Sequence, residues 1–329
     1  MQVRFILTFA AIASAAESAS HWAEYLALPN ITSITTSYLN LPDHPRTLDV
    51  RYNGAQKTMK SFALPPDGLS LVGAILPEGL ETFALEGIQL KSIPNEFKWP
   101  STLKTLGLSS NHLSAFPKRL PRSIENLYLT DNQISKLPQT IDLPRLVNLH
   151  VGDNKLTTLP DGFSLPRTLE FLFLSNNQIT CLPANSSWIS QVRMGLYLDS
   201  NQIQDLPTDS IFPELTTVAN NRITTLANLA LPHSFDIGNN PLETVYRVTM
   251  SSKDSYWLTS ASTLTTFVLE ESVFQQVTKE LVSAYYTLAW KSDNDSIAAV
   301  CELEQGTVRT LKGDNPSTSK INVCVVSPY

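Results

Sequence analysis

The sequence predicts an α/β-type solenoid. This is a curved array of short coils with a parallel β-sheet on its concave face and an extended, short-turn convex side, followed by a small α+β domain. Three observations predict it. The 329 residues hold 46 leucines, and 21 prolines against 12 glycines. One spacing of apolar residues recurs through the middle of the chain. An asparagine returns at one phase of that spacing seven times, every 19 to 24 residues, which a run of ordinary strands does not produce. The composition is too apolar for a disordered chain. Charged residues are 16%, the net charge is −6, and no run of basic residues stands out, which argues against a nucleic-acid binder.

The elements follow in chain order. Residues 1–15 read as a secretory signal: Arg4, then an apolar stretch from Phe5 to Ala16, with the small residues Ala13-Ser14-Ala15 at the cleavage position. The apolar stretch is too short to span a bilayer. Residues 16–70 hold repeat-like fragments, Leu39-Asn-Leu41-Pro42 and Leu48-Asp-Val50, and are expected to cap the open end of the array. Residues 71–245 are the array itself. Leu103, Leu106, Leu108, Asn111 and Leu113 form the first clean unit. Ile124, Leu127, Leu129, Asn132 and Ile134 repeat it, as do Leu146, Leu149, Val151, Asn154 and Leu156, and then Leu169, Leu172, Leu174, Asn177 and Ile179. The next unit keeps Leu196, Leu198, Asn201 and Ile203 but has Arg193 at the first leucine position. Two weaker units follow, with Thr216, Val218, Asn221 and Ile223, then Phe235, Ile237, Asn240 and Leu242. Upstream, Leu80, Phe83, Leu85 and Leu90 form a unit in which Ile88 replaces the asparagine.

This L-x-x-L-x-L-x-x-N-x-L spacing resembles the leucine-rich-repeat family. The L-x-L core alternates with period two, so each unit is expected to hold a short strand with leucines inward and the intervening residues outward. The resemblance implies that Asn111, Asn132, Asn154, Asn177, Asn201, Asn221 and Asn240 turn inward and bond backbone groups of the neighbouring coil. Prolines follow most strands (Pro94, Pro117, Pro138, Pro160, Pro183, Pro207). Because proline fixes φ and cannot donate, the convex side is expected to be extended with short turns.

Residues 246–329 have fewer leucines and more Ser and Thr, and are expected to form an α+β domain that caps the array. Val273, Phe274, Val277, Leu281 and Tyr285 keep helical spacing behind Ser272 as N-cap. Residues 297–303, 307–311 and 321–326 read as strands. Of the three cysteines, Cys301 and Cys324 are the expected disulfide pair, and Cys181 is left as a partly buried filler. Asn30, Asn185 and Asn294 head glycosylation sequons, in a number that chance alone would supply.

No catalytic, cofactor or metal signature is present. The histidines show no metal-binding spacing, and Cys-x-x-Cys, phosphate-loop and nucleophile-elbow motifs are missing. Neither an enzyme nor a cofactor is expected. The strand positions between leucines place Tyr128, His150, Phe173 and Tyr197 in one outward column, with Phe171 beside Phe173 and Asp131, Asp153 and Asp199 nearby. Such a column is either a partner surface, a cross-strand ladder serving stability, or a surface packed against the chain's own ends. The expectation is a secreted, non-catalytic binding scaffold that holds a protein, peptide or glycan on its concave face. It has no membrane span in this chain and no nucleic-acid partner. The other reading is the ectodomain of a receptor-like kinase whose span and kinase lie elsewhere. The spacing says nothing of oligomeric state.

Overall fold

The structure, a computed structural model, describes residues 47–51, 81–311 and 320–328, apart from Ile88, Ala184, Asp209 and the segments 251–255, 259–262 and 283–290. The expected signal at 1–15, Asn30, and the expected cap at 16–70 except Thr47–Arg51 lie outside the described residues. The chain divides into two compact units, Met1–Leu156 with Leu165–Leu169, and Thr157–Ser164 with Glu170–Tyr329.

In the first unit five strands lie side by side in sequence order: β1 (Thr47–Arg51), β2 (Thr82–Glu86), β3 (Thr105–Gly107), β4 (Asn126–Tyr128) and β5 (Asn148–His150). Each is parallel to the next, and the repeat positions are in register: Leu48 with Phe83, Phe83 with Leu106, Leu106 with Leu127, Leu127 with Leu149. Period-two alternation explains the burial. Leu106, Leu127 and Leu149 are fully buried, while Thr105, Asn126 and Asn148 beside them are part-exposed. One coil could not bury these leucines, because each strand has only three to five residues; stacking closes the core. Four coils enter the next strand through a tight turn. Leu103 N–H donates to Pro100, Ile124 to Pro121, Leu146 to Leu143 and Leu169 to Pro166, at 3.0–3.2 Å. The prolines keep the return path extended, and it forms no helix among the described residues of this unit.

The second unit continues the pattern with β6 (Phe171–Phe173), β7 (Gly195–Tyr197) and β8 (Leu215–Thr217), again parallel and in register. A 3₁₀ turn at Ser186–Gln191 interrupts the return path after β6 and buries Trp188 and Ile189. It also resolves the odd unit. Arg193 is exposed, and Val192 is buried beside Trp188 and Ile189 in its stead. Thr216 occupies a leucine position and is fully buried, its hydroxyl donating to the Pro213 carbonyl at 3.0 Å.

From here the coils gain further strands: β9 (Thr225–Ala227), β10 (Ala230–Leu231), β11 (Ser234–Asp236), β12 (Thr244–Tyr246), β13 (Thr249–Met250) and β14 (Tyr256–Leu258). The strands β6, β7, β8, β11 and β14 share one sheet in that order. On the other side β9 pairs with β12, so these coils carry strands on both sides. Parallel pairing therefore runs beyond residue 245. Next come β15 (Thr263–Leu264), β16 (Thr266–Glu270), α1 (Glu271–Val282), β17 (Lys291–Ser292), α2 (Asn294–Leu303), β18 (Thr307–Leu311) and β19 (Ile321–Val326). The second sheet has the order β18-β19-β16-β12-β9, with β19 parallel to β16 and antiparallel to β18. The helix α1 begins at Glu271, so Ser272 lies inside its first turn.

One expected strand is a helix. Residues 297–303 lie in α2, because the Asp293 carboxylate caps it by accepting from Ser296 N–H at 3.4 Å. Ile297 and Cys301, four apart, form its buried stripe. A disulfide joins Cys301 to Cys324 of β19, with Cα atoms 5.1 Å apart. Tyr246 and Arg247, at the end of β12, hold the far end of α2: the Tyr246 hydroxyl and the Arg247 guanidinium donate to the Glu304 carboxylate at 2.9 and 3.0 Å. Arg247 first, then Tyr246, holds the Glu304 carboxyl below the usual carboxylate range.

Candidate strand-face binding site

The seven repeat asparagines are no more than 7% exposed. Their geometry repeats from coil to coil. In the first unit the Asn154 side chain accepts from Ile134 N–H at 2.9 Å and donates to the carbonyls of Leu129, Val151 and Gly152. Asn111 and Asn132 do the same with Leu90 and Leu113 as donors. In the second unit Asn201, Asn221 and Asn240 accept from Ile179, Ile203 and Ile223. Asn177 donates to Leu174 and Ser175 of its own coil. Each buried amide thus satisfies backbone groups that the turn leaves open, and fixes where the following face begins.

A second regularity accompanies it. The residue before each of these asparagines is left-handed: Ser110, Asp131, Asp153, Asn176, Ser200, Asn220 and Asn239 have φ between 52° and 57°. Short polar side chains tolerate this region better than others. Asp131 and Asp153, singled out as partner-facing acids, therefore have a backbone reason for their identity. They are exposed, and their carbonyls accept from Asn111 and Asn132 N–H. The visible signal was the Ser, Asp or Asn standing before every repeat asparagine.

The outward column is seen in two parts, each within one unit. In the first, Tyr128 and His150 sit in register with ring centroids 4.7 Å apart. Burial pushes the His150 imidazole down to about 4, so it is neutral at neutral pH. Beside them runs a polar chain that the sequence reading did not weigh: Asn148 donates to Asn126 at 2.7 Å and Asn126 to Thr105 at 3.4 Å.

In the second unit three rings form a platform. Phe173 and Tyr197 stack at 4.4 Å with 7° between planes, and Phe171 lies 6.3 Å from Phe173 at 21°. All three are part-exposed. Gly195 makes the room: a Cβ there would fall 2.8 Å from Phe171 Cδ1 and 2.9 Å from Tyr197 Cε2. Asp199 faces inward along the coils. Its carboxylate accepts from Ser175 at 3.2 Å, from the Thr217 hydroxyl, and from Ala219 N–H at 3.1 Å. Burial raises the Asp236 carboxyl; the Gly238 N–H offsets part of this, and the nearby Asp199 charge adds to it.

The remaining candidates lie away from this face. Asn185 is exposed and caps the 3₁₀ turn by accepting from Ser187 N–H at 3.1 Å. Asn294 is exposed at the start of α2. Cys181 is exposed, not partly buried. Among the described residues no group of three His, Cys, Asp or Glu side chains could hold a metal ion, and no helix is long and apolar enough to cross a membrane.

Residues 122–179 match the family described as leucine-rich repeat. The chain is 34% identical to lumican of Oryctolagus cuniculus over 142 residues, covering 42% of this chain and 72% of that one. It is 30% identical to lumican of Gallus gallus over 208 residues, covering 60% of this chain and 57% of that one. Among solved structures, YopM from Yersinia enterocolitica WA-314 matches 68% of this chain and 39% of its own, with 23% identity and a TM-score of 0.40. With the repeat spacing, the in-register parallel strands and the buried asparagines, the chain belongs to the leucine-rich-repeat family.

Proposed function

We propose that this chain is a secreted, non-catalytic binding scaffold that holds a protein or peptide on the outward face of its strands. The observation that carries the reading is the platform of Phe171, Phe173 and Tyr197, three part-exposed rings gathered over Gly195. Rigid rings on an open face supply contact area at small entropic cost, and such residues anchor interfaces. The neutral His150 beside Tyr128 gives the first unit an uncharged surface of its own. Its relatives, the lumicans, favour an extracellular setting. The near-parallel pair of Phe173 and Tyr197 also offers a flat surface for a sugar ring, so a glycan is the second reading.

The test is capture from extracellular-matrix extract with the tagged chain, followed by mass spectrometry, with a glycan array alongside. The double variant Phe173→Ala/Tyr197→Ala should lose the captured partner, and Gly195→Val should weaken capture while keeping every ring. Unchanged capture by both variants would remove the reading.

A further inference from the structure

No basic run is visible along the chain, yet the repeat brings basic residues together in space. Residues 91–168 hold ten Lys and Arg against six Asp and Glu, in a chain whose net charge is −6. Arg122, Arg145 and Arg167 each occupy the tip of the tight turn that leads into a strand, on three successive coils of the first unit. Neighbouring strands are about 5 Å apart, so the three turn tips follow one another as a row from coil to coil, with Arg145 one position nearer its strand than the other two. Arg122 reaches Asp142 at 3.1 Å. Arg145 and Arg167 are exposed and have no ion-pair partner among the described residues.

The row adjoins a furrow on the return side of the first unit, which shares with the row the two coils that end at Arg122 and Arg145. One cavity of about 520 Å³ is lined by Lys118, Arg119, Lys136 and Asp142, among others. A second, of about 360 Å³, shares Ala115–Lys118 with it and extends to Lys91. Together they cross three successive coils. Lys118 and Lys136 are exposed and without an ion-pair partner among the described residues. Arg119 pairs with Glu96 at the surface, at 2.9 Å.

We infer that this furrow and its arginine row bind a linear sulfated polysaccharide. The shape fits a polymer, because the furrow continues from coil to coil. The walls decide its class. Pro94, Pro117 and Pro138 line them, and proline has no N–H to donate, so an acidic peptide cannot add here as a strand. A single aromatic residue, the part-buried Phe116, lies in the lining, whereas single-stranded nucleic acid in a groove relies on several rings for stacking. Apolar proline faces with cations at each coil suit a sugar backbone that presents anions at regular intervals. Guanidinium groups match multi-oxygen anions in particular. The site is distinct from the strand face and does not depend on the reading of it.

The test is the binding of the full chain to immobilised heparin, desulfated heparin, polyglutamate and a single-stranded oligonucleotide at about 0.15 M NaCl. The expected result is saturable binding to heparin and none to its desulfated form. Lys118→Glu/Lys136→Glu/Arg145→Glu should weaken heparin binding at least about tenfold and flatten its salt dependence by about one unit of slope per lost contact. The charge-matched control Arg222→Glu/Lys291→Glu/Lys320→Glu should change it less than about twofold. Acetylation footprinting of the unaltered chain gives a second readout, in which heparin should protect Lys118 and Lys136 but not Lys320. Absence of heparin binding, equal loss in both triple variants, no protection, or tighter binding of polyglutamate or the oligonucleotide would each overturn the inference.

Discussion

Replacing Asn154 with leucine tests how the coils are locked together. The substitution keeps the branched shape, adds some bulk and removes the amide. Of the groups that Asn154 serves, the Ile134 N–H loses its partner outright. The Leu129 carbonyl keeps Asn132 as a donor at 3.1 Å, and the Gly152 carbonyl keeps Asp131 N–H at 3.1 Å. One orphaned buried N–H costs about 1–3 kcal/mol, and under-satisfied carbonyls add less. The expected loss is therefore about 2–3 kcal/mol, a large share of a total stability of about 5–15 kcal/mol. Urea unfolding of the full chain measures the loss. Hydrogen exchange locates it, with faster exchange expected at Ile134 and at Leu127 and Leu149 on the neighbouring strands. Asn148→Ala serves as control, since its amide lies part-exposed on the outer face and should cost less than about 1 kcal/mol. A loss below about 0.5 kcal/mol, or unchanged protection of Ile134, would refute the ladder as the source of coil-to-coil stability.

Three further outcomes are expected. His150 should titrate near 4 by NMR; because this lies below its ordinary value of 6.5, the unfolded chain binds more protons between the two, and stability should fall as pH drops through that window, an effect absent in His150→Gln. Asp131 has φ 57°, so Asp131→Val should cost about 1–2 kcal/mol in thermal unfolding and Asp131→Gly should stay within about 0.5 kcal/mol. Cys301 and Cys324 are 23 residues apart, so Cys301→Ser/Cys324→Ser should lose about 3 kcal/mol, seen as faster exchange in β19 and α2 and unchanged exchange at Leu127.

Much of the architecture was legible because the repeat states one local rule many times. Leu-x-Leu places a strand, and the asparagine marks its end. Arg193 could not be placed by that rule, since the Ser186–Gln191 turn adds residues and Val192 fills the core. Residues 297–303 misled for another reason: a short apolar run does not declare its period, and the Asp293 cap decided for helix. Of the site, the outward residues were legible from alternation alone. The room that Gly195 leaves for two rings, and the turning of Asp199 toward Thr217 and Ala219, were not.

The sequence by itself determined that leucines face inward, that asparagines close each strand, and that Tyr128, His150, Phe171, Phe173 and Tyr197 face outward, because these follow from period-two alternation within a coil. Only the tertiary structure decided what stands beside what. Residues some 20 apart along the chain become neighbours about 5 Å apart when coils stack. That is why Arg122, Arg145 and Arg167 form a row that no stretch of sequence displays, and why the charge of His150 depends on its packing against the Tyr128 ring and the neighbouring coils.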